Sequence, residues 1–228
     1  MLSGDDLSPE CVIIKFVTSN PKKLREVSAI MGEKGLPLPL QRIDIDLDEC
    51  SESPEKIAAA KCRLAAEATG GPVLVDDTSL CLEALGGMPG PYIKWFSNKA
   101  SQRDTLVRML DGFENKRAYA QSCIAFSVGP GTVPLVFSGR VDGTIVEPRG
   151  DAGFGWDNVF RPDGAERTFA EMDAAEKNKI SHRARALASL SAYLFAHREI
   201  LTQLCLEHLA EPEPQEDRFT FVRRQEEL

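Results

Sequence analysis

The sequence predicts an α/β fold in which helices pack against a mixed β-sheet. Two short runs, residues 11–17 and 72–75, are apolar and rich in β-branched side chains, which predicts buried strands. Residues 118–128 alternate between apolar and other side chains, and a second β run follows at 133–146, which predicts a long antiparallel hairpin. Because helical segments lie on both sides of this hairpin in the sequence, we expect a mixed sheet.

The first two predicted helices have clear start signals. Asn20 can cap the first helix and Pro21 suits its first position, before an apolar stripe that ends near Gly32. The second helix begins at Ser53 and Pro54. Its predicted apolar face consists of Ile57, Leu64 and Ala68.

Three further helices are predicted in the second half of the chain. A short one lies near residues 104–110, and Thr168 and Glu171 form a capping box that opens another. Ser181 is placed to cap one long helix. The predicted apolar stripe of this long helix consists of Leu187, Leu190, Leu194, Leu201 and Leu204.

Composition excludes several classes of protein. The chain has 228 residues, 43% hydrophobic and 27% charged, which is typical of one large globular domain or two small ones. Its net charge of −8 disfavours binding to nucleic acid. No apolar run is long enough to span a membrane, and the N-terminus lacks the features of a secretory signal. The six cysteines are scattered, which favours reduced thiols and a cytoplasmic location.

The sequence also suggests domain boundaries. We expect an N-terminal extension at residues 1–10, a single domain at 11–210, and an acidic, disordered tail at 211–228. The composition of Phe219–Val222 fits a short strand, but the proline- and glutamate-rich stretch before it carries little apolar surface.

Lys22 and Lys23 occupy the first turn of a predicted helix, where the helix dipole disfavours positive charge. A helix N-terminus can bind an anion, so two interpretations are open: the lysines belong to a phosphate site, or they are solvated side chains at a helix start. Lys61 raises the same question, because it lies on the predicted apolar face of the second helix. It either extends its amine to the solvent or contacts an anion.

Two acids and two cations break the expected pattern elsewhere. Asp76 and Asp77 are predicted to end the strand at 72–75, and carboxylates beside a phosphate site suit Mg²⁺. His182 and Arg183 lie in the first turn of a helix, and Arg183 shares its apolar stripe, so Arg183 needs a hydrogen-bond acceptor. On residue chemistry alone, His182 is best interpreted as a satisfied core histidine. Together these residues indicate nucleotide or phosphoester chemistry and nothing more specific.

Five ordered motifs add a resemblance to the inosine triphosphate pyrophosphatase family, closest to its eukaryotic members. They begin with FVTSNPKK at 16–23 and GPVLVDDT at 71–78. They continue with LGGMPGPYIKWF at 85–96, GFGWD at 153–157 and AEKNKISHR at 175–183. The resemblance spans about residues 11–196. It implies an elongated mixed sheet with flanking helices and two lobes around a nucleotide cleft.

The resemblance implies hydrolysis of ITP, dITP and XTP to the monophosphate and pyrophosphate, by a homodimer with no nucleic acid or membrane partner. It implies Mg²⁺, for which Mn²⁺ could substitute, held by Glu49 and Asp77, with Asp77 and Lys61 as catalytic groups. The substrate-binding residues implied are Thr18, Ser19, Asn20, Pro21, Lys22, Lys23, Lys61, Asp77, Thr78, Lys94, Phe154, Gly155, Trp156, Asp157, Lys177, His182 and Arg183. Phe154 would stack on the purine, while His182 and Arg183 would read its 6-oxo edge.

Two alternatives remain at this point. One is a septum-formation type of nucleotide pyrophosphatase, whose expected motifs differ from the Phe154–Asp157 and Ser181–Arg183 text. The other is a non-catalytic nucleotide-binding protein with the same fold, which the presence of Glu49, Lys61 and Asp77 disfavours.

Overall fold

The computed structural model describes residues 12–34, 40–45, 53–97 and 102–210. Among them the strands of the sheet are β1 (Ile14–Val17), β2 (Leu40–Ile43), β3 (Val73–Leu82), β4 (Pro89–Gly90), β5 (Arg117–Ser127), β6 (Leu135–Ile145) and β7 (Phe160–Pro162). The helices are α1 (Pro21–Lys34), α2 (Pro54–Thr69), α3 (Ile93–Ser97), α4 (Gln102–Met109), α5 (Ala174–Ile180), α6 (His182–Ala196) and α7 (Arg198–Ala210). Short 3₁₀ turns lie at Glu83–Leu85 and Phe169–Glu171.

The strands form one mixed sheet in the order β2-β1-β3-β5-β6-β7, with β4 paired to β3. β1 runs parallel to β2 and β3, whereas β3, β5, β6 and β7 are joined by antiparallel pairs. This arrangement confirms the predicted mixed α/β fold and the predicted hairpin of β5 and β6.

Helices cover both faces of the sheet. Ala58, Cys62 and their neighbours on α2 pack on one face, against Val73, Val75 and Ala125. On the other face, α1, α6 and α7 pack against Leu74, Ile124 and Phe126. A third apolar cluster, which includes Leu80, Trp156, Phe160 and Phe169, fills the far end of the sheet. The site described below lies between this cluster and the α1–α6 layer.

The strand predicted at 72–75 is longer than expected, and Asp76 and Asp77 do not end it. β3 continues to Leu82, because its residues from Val73 onward pair with β5. Only Val73–Val75 pair with β1, which ends at Val17. The two aspartates therefore lie where the parallel pairing stops rather than where the strand stops.

The single long helix predicted from Ser181 is in fact two helices. Ser181 caps α6 as predicted, but the backbone leaves the helix at His197 and α7 follows. This change of direction buries Leu201 and Cys205 and leaves Leu204 exposed. No glycine or proline marks the break, so the sequence pattern could not reveal it.

Two other details differ from prediction. Leu64 is 48% exposed, because the face that α2 turns to the sheet is formed by smaller residues such as Ala58, Cys62 and Ala65. α5 was not predicted, although Asp173 and Glu176 form a capping box at its start. None of the described helices has the length and apolar character needed to cross a bilayer.

Candidate functional site

A cavity of about 390 Å³ opens between the start of α1 and the start of α6. Its walls come from α1, β3, α3, the turn at 154–157, α5 and α6. The lining residues are Asn20, Pro21, Lys22, Lys23, Thr78, Ile93, Lys94, Phe154, Gly155, Trp156, Asp157, Lys177, His182 and Arg183. All of them except Ile93 were predicted from the sequence, although their roles stay predictions.

The start of α1 forms one end of the cavity. Asn20 caps the helix, since its side-chain oxygen accepts a hydrogen bond from the amide of Lys22 at 2.9 Å. The hydroxyl of Thr18 in turn accepts from the amide of Asn20 at 3.1 Å. No acid lies in the first turn, so the amides and the two lysines present positive charge to the cavity. This end is suited to phosphate.

Three cations, including Lys22 from the first turn of α1, surround the ring of Phe154. The amine of Lys177 lies 4.8 Å from the ring centroid, and Lys22 and Arg183 each lie 5.9 Å from it. An aromatic face bordered by hydrogen-bond donors suits a flat ring that carries electronegative oxygen atoms.

Asp157 holds the Phe154 turn in place. Its carboxylate accepts from the amide of Phe154 at 2.8 Å and from the amine of Lys177 at 2.7 Å. Burial raises the pKa of Asp157, and the charge of Lys177 opposes this effect. Gly153 has a φ of +75°, and a Cβ there would overlap the Asp157 carboxylate, so this tight turn requires glycine.

Arg183 is only 1% exposed, and its hydrogen-bond acceptors belong to the protein. Asp76 Oδ2 accepts from Nε at 3.0 Å and from Nη2 at 2.9 Å, and Thr78 Oγ1 accepts from Nη2 at 3.0 Å. Nη1 donates to Glu26. The sequence analysis predicted that Arg183 needs a hydrogen-bond acceptor, and the carboxylates of Asp76 and Glu26 are such acceptors within the protein itself.

Sequence reasoning missed Glu26. Its carboxylate bridges Arg183 and Lys177, with the Lys177 contact at 2.7 Å. Burial raises the pKa of Glu26, but the charges of Arg183 and Lys177 outweigh it and lower the pKa overall. In the sequence Glu26 lies four residues after Lys22, so it looks like one half of an ordinary surface pair on a helix.

His182 is buried, at 2% exposure, but it is not the satisfied core histidine suggested by residue chemistry alone. Neither ring nitrogen has a hydrogen-bond partner among the described residues. The ring lies beside Trp156 and Phe169, at centroid distances of 5.4 and 6.2 Å. Burial, with added repulsion from Arg183 and Lys177, holds its pKa well below the usual value. A neutral imidazole with free donor and acceptor capacity therefore lines the cavity.

Gly139 allows α6 to bring His182 and Arg183 to the cavity. A Cβ at Gly139 would overlap the carbonyl oxygen of His182 and the amide nitrogen of Ala186. The helix can approach β6 this closely only because the strand carries no side chain at that point.

Asp77 and Lys61 lie on the opposite face of the sheet, beside α2. The amine of Lys61 contacts Asp77 Oδ1 at 2.9 Å, so this lysine does find an anion, and the anion is part of the protein. Neither residue lines the cavity, and neither do Thr18 and Ser19. Glu49, the other predicted metal ligand, falls outside the described residues.

The carboxylate of Asp77 on this face is a ligand of the kind that Mg²⁺ prefers, but the described residues do not supply a complete set of ligands. Among the described residues, no group of three or more His, Cys, Asp or Glu side chains is arranged to hold a metal ion. Mg²⁺ does not need one, because it usually takes one or two carboxylates and completes its shell with water and substrate phosphates. Asp77 could supply one such carboxylate: it is buried next to Thr78 of the cavity wall, although its side chain faces α2 in this structure.

Comparison with known proteins identifies the family. The Ham1 family model matches residues 14–193. An inosine triphosphate pyrophosphatase from Tuber melanosporum is 52% identical over 182 residues, which are 80% of this chain and 96% of the relative.

Solved structures agree. A HAM1 protein from Coxiella burnetii is 31% identical with a TM-score of 0.72, over 81% of this chain and 99% of that one. A nucleoside-triphosphatase described as a dITP/XTP pyrophosphatase, from Mycobacterium abscessus, is 32% identical with a TM-score of 0.62, over 78% and 97%. From its sequence and its fold, this chain belongs to the Ham1 family.

Proposed function

We propose that this protein hydrolyses non-canonical purine nucleoside triphosphates (ITP, dITP and XTP) to the monophosphate and pyrophosphate, and so removes deaminated purines from the nucleotide pool. The observation that carries this proposal is the cavity itself, with a helix N-terminus and lysines at one end and an aromatic ring among donors at the other. The names of the relatives from Tuber melanosporum and Mycobacterium abscessus point to the same substrates.

The phosphate chain would lie along the start of α1. The amides after Asn20 and the amines of Lys22, Lys23 and Lys94 would offset its negative charge. The charge that builds in the transition state falls on these phosphate oxygens, so the same donors would act most strongly there.

The chemical step would use Asp77 and Lys61. Asp77 would accept a proton from the water that attacks the α-phosphorus, and pyrophosphate would leave with the bridging oxygen. Lys61 orients the carboxylate through the 2.9 Å contact with Oδ1. Asp77, with Glu49, would also hold Mg²⁺, or Mn²⁺ in its place, which when bound offsets phosphate charge. Asp77 directly precedes Thr78 of the cavity wall in β3, and this proximity along the strand supports these roles.

Base selection would depend on the donors around Phe154. The 6-oxo group of hypoxanthine or xanthine accepts hydrogen bonds, whereas adenine presents an amino group there. An amino group would leave the buried donors of His182 and Arg183 unpaired, which costs roughly 1–3 kcal/mol per group.

We further propose a homodimer that works in the cytoplasm on free nucleotides, without nucleic acid or membrane partners. The resemblance to the family supports the dimer, and the net charge of −8 supports the lack of nucleic-acid binding. Light scattering on the purified chain tests the dimer directly.

One assay tests the activity. The protein is incubated with Mg²⁺ and, separately, ITP, XTP, dITP, ATP, GTP and CTP, and pyrophosphate and monophosphate are measured. We expect rapid release from the first three only. Binding of ITP without any release of pyrophosphate would favour the non-catalytic alternative, and a preference for a modified pyrimidine would favour the septum-formation type.

A further inference from the structure

Asp76 contacts both ends of the cavity without lining it. Its Oδ2 atom accepts two hydrogen bonds from Arg183, and it also lies 3.4 Å from the amine of Lys23. The same amine donates to the backbone carbonyl of Asp76 at 2.9 Å. A single residue of β3 therefore holds a cation at the base end and a cation at the phosphate end.

The other contacts of Asp76 fix its carboxylate. Ser122 on β5 donates to Oδ1 at 2.6 Å, and the side chain of Asp76 is fully buried. Because Arg183 and Lys23 share the Oδ2 atom of this fixed carboxylate, a change in the hydrogen bonds to one of them polarises Oδ2 and alters its interaction with the other.

The donors of Arg183 show what Asp76 controls. A guanidinium has five N–H groups. Asp76 takes two of them, Thr78 takes one and Glu26 takes one, which leaves one hydrogen on Nη1. Because Asp76 holds the Nε and Nη2 edge, it sets the direction in which the remaining donor points.

We propose that Asp76 is a positioning residue that couples reading of the purine base to holding of the triphosphate, through the oxygen that Arg183 and Lys23 share. This inference rests on the proposed function and adds to it a specificity-determining residue that does not itself touch the nucleotide. When a 6-oxo purine accepts a hydrogen bond from Arg183, the hydrogen bonds that Arg183 donates to Oδ2 change in strength. The ion pair between Oδ2 and Lys23 then changes as well. A purine without that acceptor leaves this ion pair unaffected.

The consequence is a dependence of the lysine on the base. Lys23 should contribute more to kcat/KM with ITP than with ATP, although it lies at the phosphate end and both nucleotides carry the same triphosphate. Groups in one hydrogen-bond network commonly show such non-additive effects, whereas independent groups do not.

The test is a cycle of Lys23→Met and Asp76→Asn, measured with ITP and ATP. In the parent, we expect the fold-loss of kcat/KM caused by Lys23→Met to be at least about three times larger with ITP than with ATP. In the Asp76→Asn background, the fold-losses with the two nucleotides should become equal. Equal fold-losses in the parent, or a difference that survives Asp76→Asn, would overturn the proposal, because a purely structural aspartate lowers both activities alike.

Two further variants serve as a substitute for Asp76→Asn and as a control. Asp76→Asn leaves Arg183 with Glu26, but if it fails to fold, Ser122→Ala loosens the same carboxylate without removing charge and should reduce the difference. Asp163→Asn changes an exposed aspartate paired with Arg117 and should leave every fold-loss unchanged.

The proposed function and the coupling can fail separately. Hydrolysis of ITP by the parent with no coupling refutes the role of Asp76 alone. If the parent binds ITP but does not hydrolyse it, the activity is refuted, and the same cycle measured as dissociation constants decides the coupling. If ITP is neither bound nor hydrolysed, both are wrong.

Discussion

Asp76 and Asp77 follow one another in β3, and their carboxylates point to opposite faces of the sheet. Asp76 contacts Arg183 of α6, while Asp77 contacts Lys61 of α2. The alternation of side chains along a strand requires this separation. The neighbouring acids therefore have different surroundings: Asp76 supports the cavity wall through Arg183, and Asp77 is held by Lys61 on the face covered by α2.

Asp77→Asn should lower kcat for ITP by roughly 10²–10⁴-fold, the usual contribution of a general base. The substitution keeps the shape of the side chain, so the melting temperature should change little by comparison. Steady-state kinetics with ITP, together with a melting curve, measure both. Asp163→Asn is the matched control, because Asp163 is exposed and pairs with Arg117. Near-normal turnover in Asp77→Asn would exclude the base role.

Arg183→Ala should destabilise the fold, because it leaves Asp76 and Glu26 as buried carboxylates without their main counter-charge. Breaking a buried ion pair in this way costs about 3–5 kcal/mol. Urea denaturation measures the loss. Arg185→Ala is the control, since Arg185 is exposed and its side chain donates to the Arg140 carbonyl. Equal denaturation midpoints for the two variants would contradict the structural role of Arg183.

Base selection is better tested with Arg183→Lys, which keeps the charge but loses the planar fork. If the remaining Nη1 donor reads the 6-oxo group, the ITP/ATP ratio of kcat/KM should fall roughly 10–100-fold, as for one bond to a charged donor. An unchanged ratio in a well-folded variant would show that Arg183 does not read the base.

His182 should make stability depend on pH near neutrality. Its folded-state pKa is depressed by burial and by nearby cations, so the unfolded chain binds the proton first. The stabilisation is complete above the unfolded pKa of about 6.5 and is lost as the pH falls below it, by at most about 1.4 kcal/mol per pH unit. Melting temperatures between pH 8 and 5.5 should therefore decline for the parent.

The comparison variants for this experiment are His182→Phe and His197→Gln. Phenylalanine suits the aromatic neighbours Trp156 and Phe169 and cannot titrate, so the decline should disappear. His197 is exposed and lies at the end of α6, so its variant should decline as the parent does. A decline that persists in His182→Phe would assign the effect to other groups.

Local signals predicted the fold well and the polar contacts poorly. The caps at Asn20, Ser53 and Ser181 and the alternation in β5 are properties of short segments, so the sequence reveals them. The break at His197 depends on where the core needs apolar surface, which no local pattern records.

The candidate site shows the same division. Four cations stand out in the sequence because a helix start or an apolar helix face disfavours a positive charge: Lys22, Lys23, Lys61 and Arg183. What each contacts was not predictable, because Asp76 meets Arg183 across 107 positions of sequence. Glu26 gave no signal at all, since an acid one turn after a lysine is common on any helix.

Gly139→Ala should destabilise the protein by about 1–3 kcal/mol, as for overpacking, because a Cβ there meets backbone atoms of α6 that cannot move aside. Gly32→Ala is the matched control. Gly32 is exposed in α1 with open space around it, so alanine there should stabilise by roughly 0.5–1 kcal/mol. Opposite shifts in melting temperature are expected, and a Gly139→Ala variant as stable as the parent would show that α6 can withdraw from β6.

Two truncations should separate α7 from the tail. α7 lies beyond the stretch matched by the family model, yet it buries Leu201 and Cys205 in the main core. Removing residues 198–228 uncovers that core, and the loss of one buried leucine alone costs about 2–5 kcal/mol. We expect this shorter chain to melt much earlier or to be insoluble.

Removing only residues 211–228 should have almost no effect on melting temperature or on ITP hydrolysis. Those residues begin with a proline- and glutamate-rich run, which has little apolar surface to bury. The two truncations differ by α7 alone, so the difference between their melting curves measures the contribution of that helix. If removal of 211–228 by itself lowered the melting temperature clearly, the apolar residues at 219–222 would have to pack against the domain, and the boundary predicted at residue 210 would be wrong.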